Sequence, residues 1–127
     1  NRSGSGNPVD LITPVISGEE LVQYQQIVKQ IHVEEKLLGY IAVLVQQSRN
    51  FAGLYLGASP RATLNIMNSA KAFAGLRGRD FVTPDDIQEA AYPVLRHRII
   101  LTPEKEMEGA RPNDVVKQLI EKVEVPR

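Results

Sequence analysis

The chain has 127 residues, a mass of 14.1 kDa, 43 % hydrophobic and 24 % charged residues, which suits one globular domain with a core of its own. It contains no cysteine, which excludes disulfides, zinc–thiolate sites, iron–sulfur clusters and thiol nucleophiles. Lys+Arg 15 balance Asp+Glu 15, so there is no whole-surface basic field for nucleic acid. No apolar run approaches the roughly 18 residues of a membrane span, and no basic segment followed by an apolar one marks a signal peptide. A cytoplasmic protein with neither a nucleic-acid partner nor a membrane span is the expectation.

In chain order, residues 1–6 (NRSGSG) read as a flexible leader or expression scar. Residues 7–16 carry two prolines and no helical period, and are expected to form an extended connector. Ser17 and Glu20 have capping-box spacing, and Leu21, Tyr24, Val28 and Ile31 then recur at helical spacing. A second helix is predicted over 34–49, with Leu37, Ile41, Leu44 and Val45 on one face. Gly39 inside it costs about 1 kcal/mol against alanine, which suggests close packing there. Residues 50–58 hold two glycines and no helical stripe, and read as a loop.

Ser59-Pro60 is a strong helix start, with the serine as N-cap and proline at the first helical position. This helix should reach Leu76, with Ile66, Met67, Ala70, Phe73 and Ala74 buried and Gly75 and Gly78 marking its end. Thr83-Pro84-Asp85-Asp86 repeats the start signal, and Ile87, Ala91, Val94 and Leu95 carry the helical period onward. Pro93 inside that pattern predicts a kink, or two shorter helices, near Tyr92. Residues 99–111 read as a polar connector, with Ile99-Ile100-Leu101 as a candidate short strand. A last helix starts at Pro112 or Asn113, with Val115, Val116, Leu119, Ile120 and Val123 as its apolar face. Ile31-His32-Val33 and Phe81-Val82 are β-rich pieces able to pair with each other, though too short for a sheet domain. The fold class is all-α: a single bundle of about five helices, with one or two very short strands.

No phosphate loop of the GxxxxGK[ST] type, GxSxG elbow, HExxH helix or calcium loop occurs. His32 and His97 lack ligand spacing, so no metal site is expected. The acid pairs Glu19-Glu20, Glu34-Glu35 and Asp85-Asp86 all open helices, which the helix dipole explains without catalysis. No catalytic constellation stands on its own. From Lys36 to Arg79, however, there is no acid among the bases Lys36, Arg49, Arg61, Lys71, Arg77 and Arg79. This is either a local positive region or a face neutralised by acids from other segments.

Arg61 stands out within it. As the second residue after the Ser59 cap it opposes the helix dipole, at a cost of a few tenths to ~1 kcal/mol. An anion at that helix start would offset the cost, because backbone N–H groups and a guanidinium fork would converge on it. The alternative is a surface arginine at an indifferent position. Helical spacing sets Arg61 on a face with Asn65 and Asn68, away from the Ile66/Met67/Phe73 stripe. Arg96-His97-Arg98 is a second basic cluster, near a helix C-terminus where cations are favourable; contact with an anion or an acidic partner is the other reading.

Three runs together resemble the lid subdomain of MoxR-type AAA+ ATPases, in the order and spacing of that family: Leu56-Gly57-Ala58-Ser59-Pro60-Arg61-Ala62, Gly78-Arg79-Asp80-Phe81-Val82-Thr83-Pro84-Asp85-Asp86-Ile87, and Val94-Leu95-Arg96-His97-Arg98-Ile99. Tyr40-Ile41, Ser48-Arg49 and the closing Val123-Glu124-Val125-Pro126 fit as well, although many family members carry threonine where Ser48 stands. The match extends over residues 8–126. The resemblance implies a helical lid over residues 17–127 and a missing N-terminal AAA+ core that bears the Walker A and Walker B motifs. Residues 7–16 would connect the two. Such a lid is not an enzyme alone but part of an ATPase in the full-length chain.

By the same resemblance, Arg61 matches the sensor-2 arginine that reaches the γ-phosphate of ATP. Pro60 and Ser59 would lie near the nucleotide, with Tyr40 and Ile41 as candidates for the adenine side. ATP and Mg would bind in the full-length protein and not tightly to this stretch. The implied partners are the chain's own N-terminal core, neighbouring subunits in a ring (a hexamer by analogy) and a client protein that the ATPase remodels or assembles in a chaperone-like way. The competing reading is a free-standing helical interaction module with no nucleotide role.

Overall fold

In a computed structural model, residues 8–51, 54–56 and 59–127 are described. The expected leader over residues 1–6 lies outside them. A 3₁₀ turn, Pro8–Leu11, opens the described chain, so the connector is not uniformly extended. Six helices follow: α1 (Gly18–Lys29), α2 (Glu35–Asn50), α3 (Arg61–Leu76), α4 (Pro84–Leu95), α5 (Pro103–Met107) and α6 (Pro112–Lys122). Strands β1 (Leu54–Leu56) and β2 (Ile100–Leu101) form a two-stranded antiparallel ribbon. The fold is a small all-α bundle.

Local chemistry sets most helix boundaries. Ser17 and Glu20 close the capping box of α1 at 3.1 and 3.2 Å. Thr83 and Asp86 do the same for α4, and Pro84 and Pro112 occupy first-turn positions of α4 and α6. Helix α3 ends in a Schellman motif. The Arg79 N–H donates to the Ala74 carbonyl and the Gly78 N–H to the Gly75 carbonyl, both at 3.0 Å, and Gly78 takes φ +73°, the left-handed conformation this cap requires.

Four sequence expectations need correction. Pro93 does not divide α4 into two shorter helices: α4 runs as one helix to Leu95, and the proline sits in its last turn. The loop expected over 50–58 contains β1, whose register pairs Leu54 with Leu101 and Leu56 with Ile100. The polar connector 99–111 contains α5, capped by Thr102 and started by Pro103, but too short to show an apolar period. Gly39 is exposed, and a Cβ there would meet nothing within 4 Å, so no close packing selects it. The glycine that is closely approached is Gly75, where a Cβ would lie 3.0 Å from Ile31 Cδ1.

The core is built by α2, α3, α4 and α6. Ile41, Leu44, Ile66, Ile87, Leu95, Val116 and Leu119 are among its fully buried side chains, each contributing about 1.5–3 kcal/mol by leaving water. Small residues (Ala62, Ala70 and Ala74 of α3, Ala90 and Ala91 of α4) are also fully buried and let α3 and α4 approach closely. These two helices make the most extensive contact in the fold. They run antiparallel: the turn 77–83 joins them at one end, and β1, before α3, pairs with β2, after α4, at the other. The expected pairing of 31–33 with 81–82 is present as a parallel bridge between His32 and Phe81, with the His32 N–H donating to the Asp80 carbonyl and the Val82 N–H to the His32 carbonyl, both at 2.9 Å. Helix α1 packs on α3 yet buries none of its own residues. Leu21, Val22, Tyr24 and Ile27 of α1 stay about half exposed.

Candidate functional site

The α3–α4 hairpin has two ends with opposite electrostatic character. At the turn end, Asp86 is fully buried. Its carboxylate accepts from Arg79 Nη1 at 2.6 Å and Nη2 at 2.8 Å and from Arg77 Nη1 at 2.7 Å. It also accepts from the Thr83 N–H at 2.9 Å and the Thr83 hydroxyl at 3.1 Å. Burial pushes the Asp86 carboxyl up, but the hydrogen bonds from Arg79, the Thr83 backbone and Arg77 outweigh it and hold the group well below the usual carboxylate range. Arg77 also pairs with Glu89; that contact, then the one to Asp86, raises its own pKa. The two guanidiniums stand over the Phe73 and Phe81 rings, at 5.7 and 5.8 Å. Among the bases of the acid-free stretch, Arg77 and Arg79 are thus neutralised by later acids. The Thr83-x-x-Asp86 spacing predicted the cap, but nothing local predicted that the same carboxylate also receives two arginines.

At the opposite end, α3 begins at Arg61, one residue later than the sequence suggested, with Pro60 in the cap position and no side-chain cap. The Ala62 and Thr63 N–H groups turn back onto the Ser59 and Pro60 carbonyls, at 2.9 and 3.1 Å. The guanidinium of Arg61, rather than a ring of open amides, is therefore the main donor this helix start offers. Ser59, Pro60 and Arg61 are exposed, and among the described residues no acid pairs with Arg61. Asn68 is exposed and Asn65 half-buried, on a face distinct from buried Ile66, Ala70 and Ala74. The antiparallel hairpin brings Arg96, His97 and Arg98, all exposed, to this same end.

Tyr40 and Ile41 sit elsewhere. Both are core side chains of α2, 2 % and 0 % exposed, with the Tyr40 hydroxyl accepting from Gln88 Nε2 at 3.1 Å. Burial raises the Tyr40 pKa, and the Gln88 bond partly offsets it. Neither side chain shares the exposed surface of Ser59, Pro60 and Arg61. Among the described residues no helix is long and apolar enough to cross a membrane.

A family model for the AAA lid domain matches residues 46–119, a span that contains Ser59-Pro60-Arg61, Asp86 and Arg96-His97-Arg98. The chain is 36 % identical to the uncharacterized protein YeaC of Bacillus subtilis (strain 168), over 94 % of this chain and 38 % of that protein. It is 32 % identical to the chaperone MoxR1 of Mycobacterium tuberculosis, over 89 % of this chain and 32 % of that protein. A crystal structure from Cytophaga hutchinsonii, of a protein assigned as an ATPase, superimposes with a TM-score of 0.83 at 31 % identity, over 91 % of this chain and 38 % of that one. The chain thus spans about a third of the length of these relatives. Sequence and fold agree: the chain belongs to the AAA lid domain family, as the lid region of a MoxR-type AAA+ ATPase.

Proposed function

We propose that this lid supplies the sensor-2 arginine, Arg61, to ATP held with Mg by the rest of a full-length ATPase. The observation that carries the reading is the state of Arg61: exposed, without an acidic partner among the described residues, and placed at the positive end of α3 where helix stability disfavours a cation. A γ-phosphate there gains a charge-assisted, fork-shaped contact. Ser59 and Pro60 flank it. Tyr40 and Ile41, the adenine-side candidates, lie beneath the surface as core residues of α2, with Tyr40 tied to α4 through Gln88.

Hydrolysis removes the anion that Arg61 reads, and the lid is then free to rotate relative to the core. The internal stiffness of that motion comes from the α3–α4 hairpin, clamped at the far end by Asp86. In a ring of subunits the rotation becomes work on a client protein, in chaperone-like remodelling or assembly. The half-exposed apolar residues of α1 support a lid that is covered by further protein when the full-length chain is assembled.

Kinetics of Arg61→Ala in the full-length ATPase test the reading. The expected result is a fall in ATP turnover of about tenfold or more, as for loss of a charged transition-state contact, with the melting temperature of the 127-residue chain unchanged. Unaltered turnover refutes the sensor role.

A further inference from the structure

A second group of cations at the same end is left without acids. Arg96 caps the C-terminus of α4, and His97 and Arg98 follow it. Arg111 immediately precedes Pro112 at the start of α6. Arg96, His97 and Arg111 line one concavity of about 310 Å³, walled also by Pro112 and Asn113. Arg96 Nε donates to His97 Nε2 at 3.4 Å, which holds the two side chains side by side. Among the described residues no carboxylate pairs with Arg96, Arg98 or Arg111. Of the two acids three residues from Arg111, Asp114 turns its Oδ2 to the Arg111 backbone N–H at 2.9 Å and Glu108 pairs with Lys105 at 3.5 Å. The α4 dipole accounts for Arg96 and Arg98, but Arg111 stands at the positive end of α6, where helix formation disfavours it. The turn end of the hairpin shows how this fold neutralises arginines when their charge is only structural: Arg77 and Arg79 both reach Asp86.

We propose that Arg96, His97 and Arg111 form a docking site for the carboxylates of an acidic protein segment, separate from the nucleotide-facing Arg61. Two arginines from different elements line one recess, and a guanidinium can take a carboxylate bidentately. The one ring with a π-face in the recess is the His97 imidazole, whose Nε2 is engaged by Arg96, and the chain carries no net charge. A nucleic-acid strand would therefore find neither a run of stacking rings nor a basic stripe along which to lie. The recess is of side-chain size, and Pro112 and Asn113 complete its lining. Arg61 does not line it, so the site stands whether or not Arg61 senses ATP.

The test is a titration of the ¹⁵N-labelled chain with a hexaglutamate peptide, followed by amide chemical shifts. Perturbations are expected at Arg96, His97, Arg98, Arg111 and Asn113, with affinity that falls as salt is added. R96A/R111A is expected to weaken binding about tenfold or more. R96E/R111E is expected to abolish it and to gain binding of hexalysine, while R61A leaves the peptide affinity unchanged. Both arginines are exposed and the α6 cap uses the Arg111 backbone, so these variants should melt as the parent does. The proposal is overturned if the perturbations fall elsewhere, if folded R96A/R111A or R96E/R111E binds the peptide as well as the parent, or if pyrophosphate or a single-stranded oligonucleotide binds these residues more tightly than the peptide.

Discussion

Asp86→Asn probes the clamp that joins α3 to α4. Among the described residues Asp86 is the one fully buried ionisable side chain, and the substitution keeps its shape while removing its charge. An amide NH₂ would replace one carboxylate oxygen, setting donor against donor at Arg79 Nη1 and the Thr83 N–H or at Arg77 Nη1 and Arg79 Nη2. Breaking a buried ion pair costs about 3–5 kcal/mol when the stranded partner is buried. Here the Arg77 and Arg79 side chains are 42 % and 25 % exposed, so water screens part of what is left behind. The expected loss is about 2–3 kcal/mol, equivalent to a drop in Tm of roughly 8–12 °C for a chain of this size. The pH dependence has a definite sign. The pKa of Asp86 is lowered in the folded state, so its contribution is fully present above the ordinary aspartate pKa near 3.9 and is lost as the pH falls below it. Thermal melts followed by circular dichroism at pH 7 and pH 3 check both points. The parent should lose more stability than D86N on acidification, so that the gap between the two narrows. A variant within about 0.5 kcal/mol of the parent at pH 7, or one with the same acid dependence, refutes the clamp.

Gly39→Ala should raise stability by about 0.5–1 kcal/mol, because the position is helical, exposed and free of neighbours for a Cβ; urea melts showing a loss would mean that the glycine has a packing role after all. Gly78→Ala should cost about 1 kcal/mol, since the Schellman cap holds φ at +73°, and unchanged urea midpoints would count against that cap. Arg61→Glu should raise the Tm of the isolated chain slightly, by about 0.3–1 kcal/mol of dipole energy, while lowering ATP turnover in the full-length protein at least as much as Arg61→Ala; a variant that loses both would show Arg61 to be structural.

Much of the fold is written in short-range chemistry. The capping box of Ser17 and Glu20, the Thr83-Pro84 start, the Gly78 stop and the Leu37/Ile41/Leu44/Val45 stripe each depend on residues within a turn or two of one another. All are legible without tertiary information. The oddity of Arg61 was legible for the same reason, because a cation in the first turn of a helix conflicts with the local dipole. Helix α5 escaped because five residues cannot display a helical period, and β1 because a strand of three residues has no pattern until a partner supplies its hydrogen bonds. Gly39 was misread because the cost of a glycine is local, while whatever it makes room for, here nothing, is not.

What the sequence by itself determined is therefore the helix count to within one, the caps of α1 and α4, and most of the core; the Ser59 cap it suggested for α3 did not form. The tertiary structure alone decided the charge bookkeeping across the hairpin. Asp86 lies far enough from the helix it clamps that only the turn at 77–83 brings Arg77 and Arg79 onto it. Arg61, Arg96 and Arg111 come to one end because α3 and α4 run antiparallel and β1 pairs with β2. It also decided that α1, amphipathic by period, buries none of its residues within this chain. Periodicity reports which residues can share a face, whereas the burial of that face depends on what packs against it, and that is a long-range property.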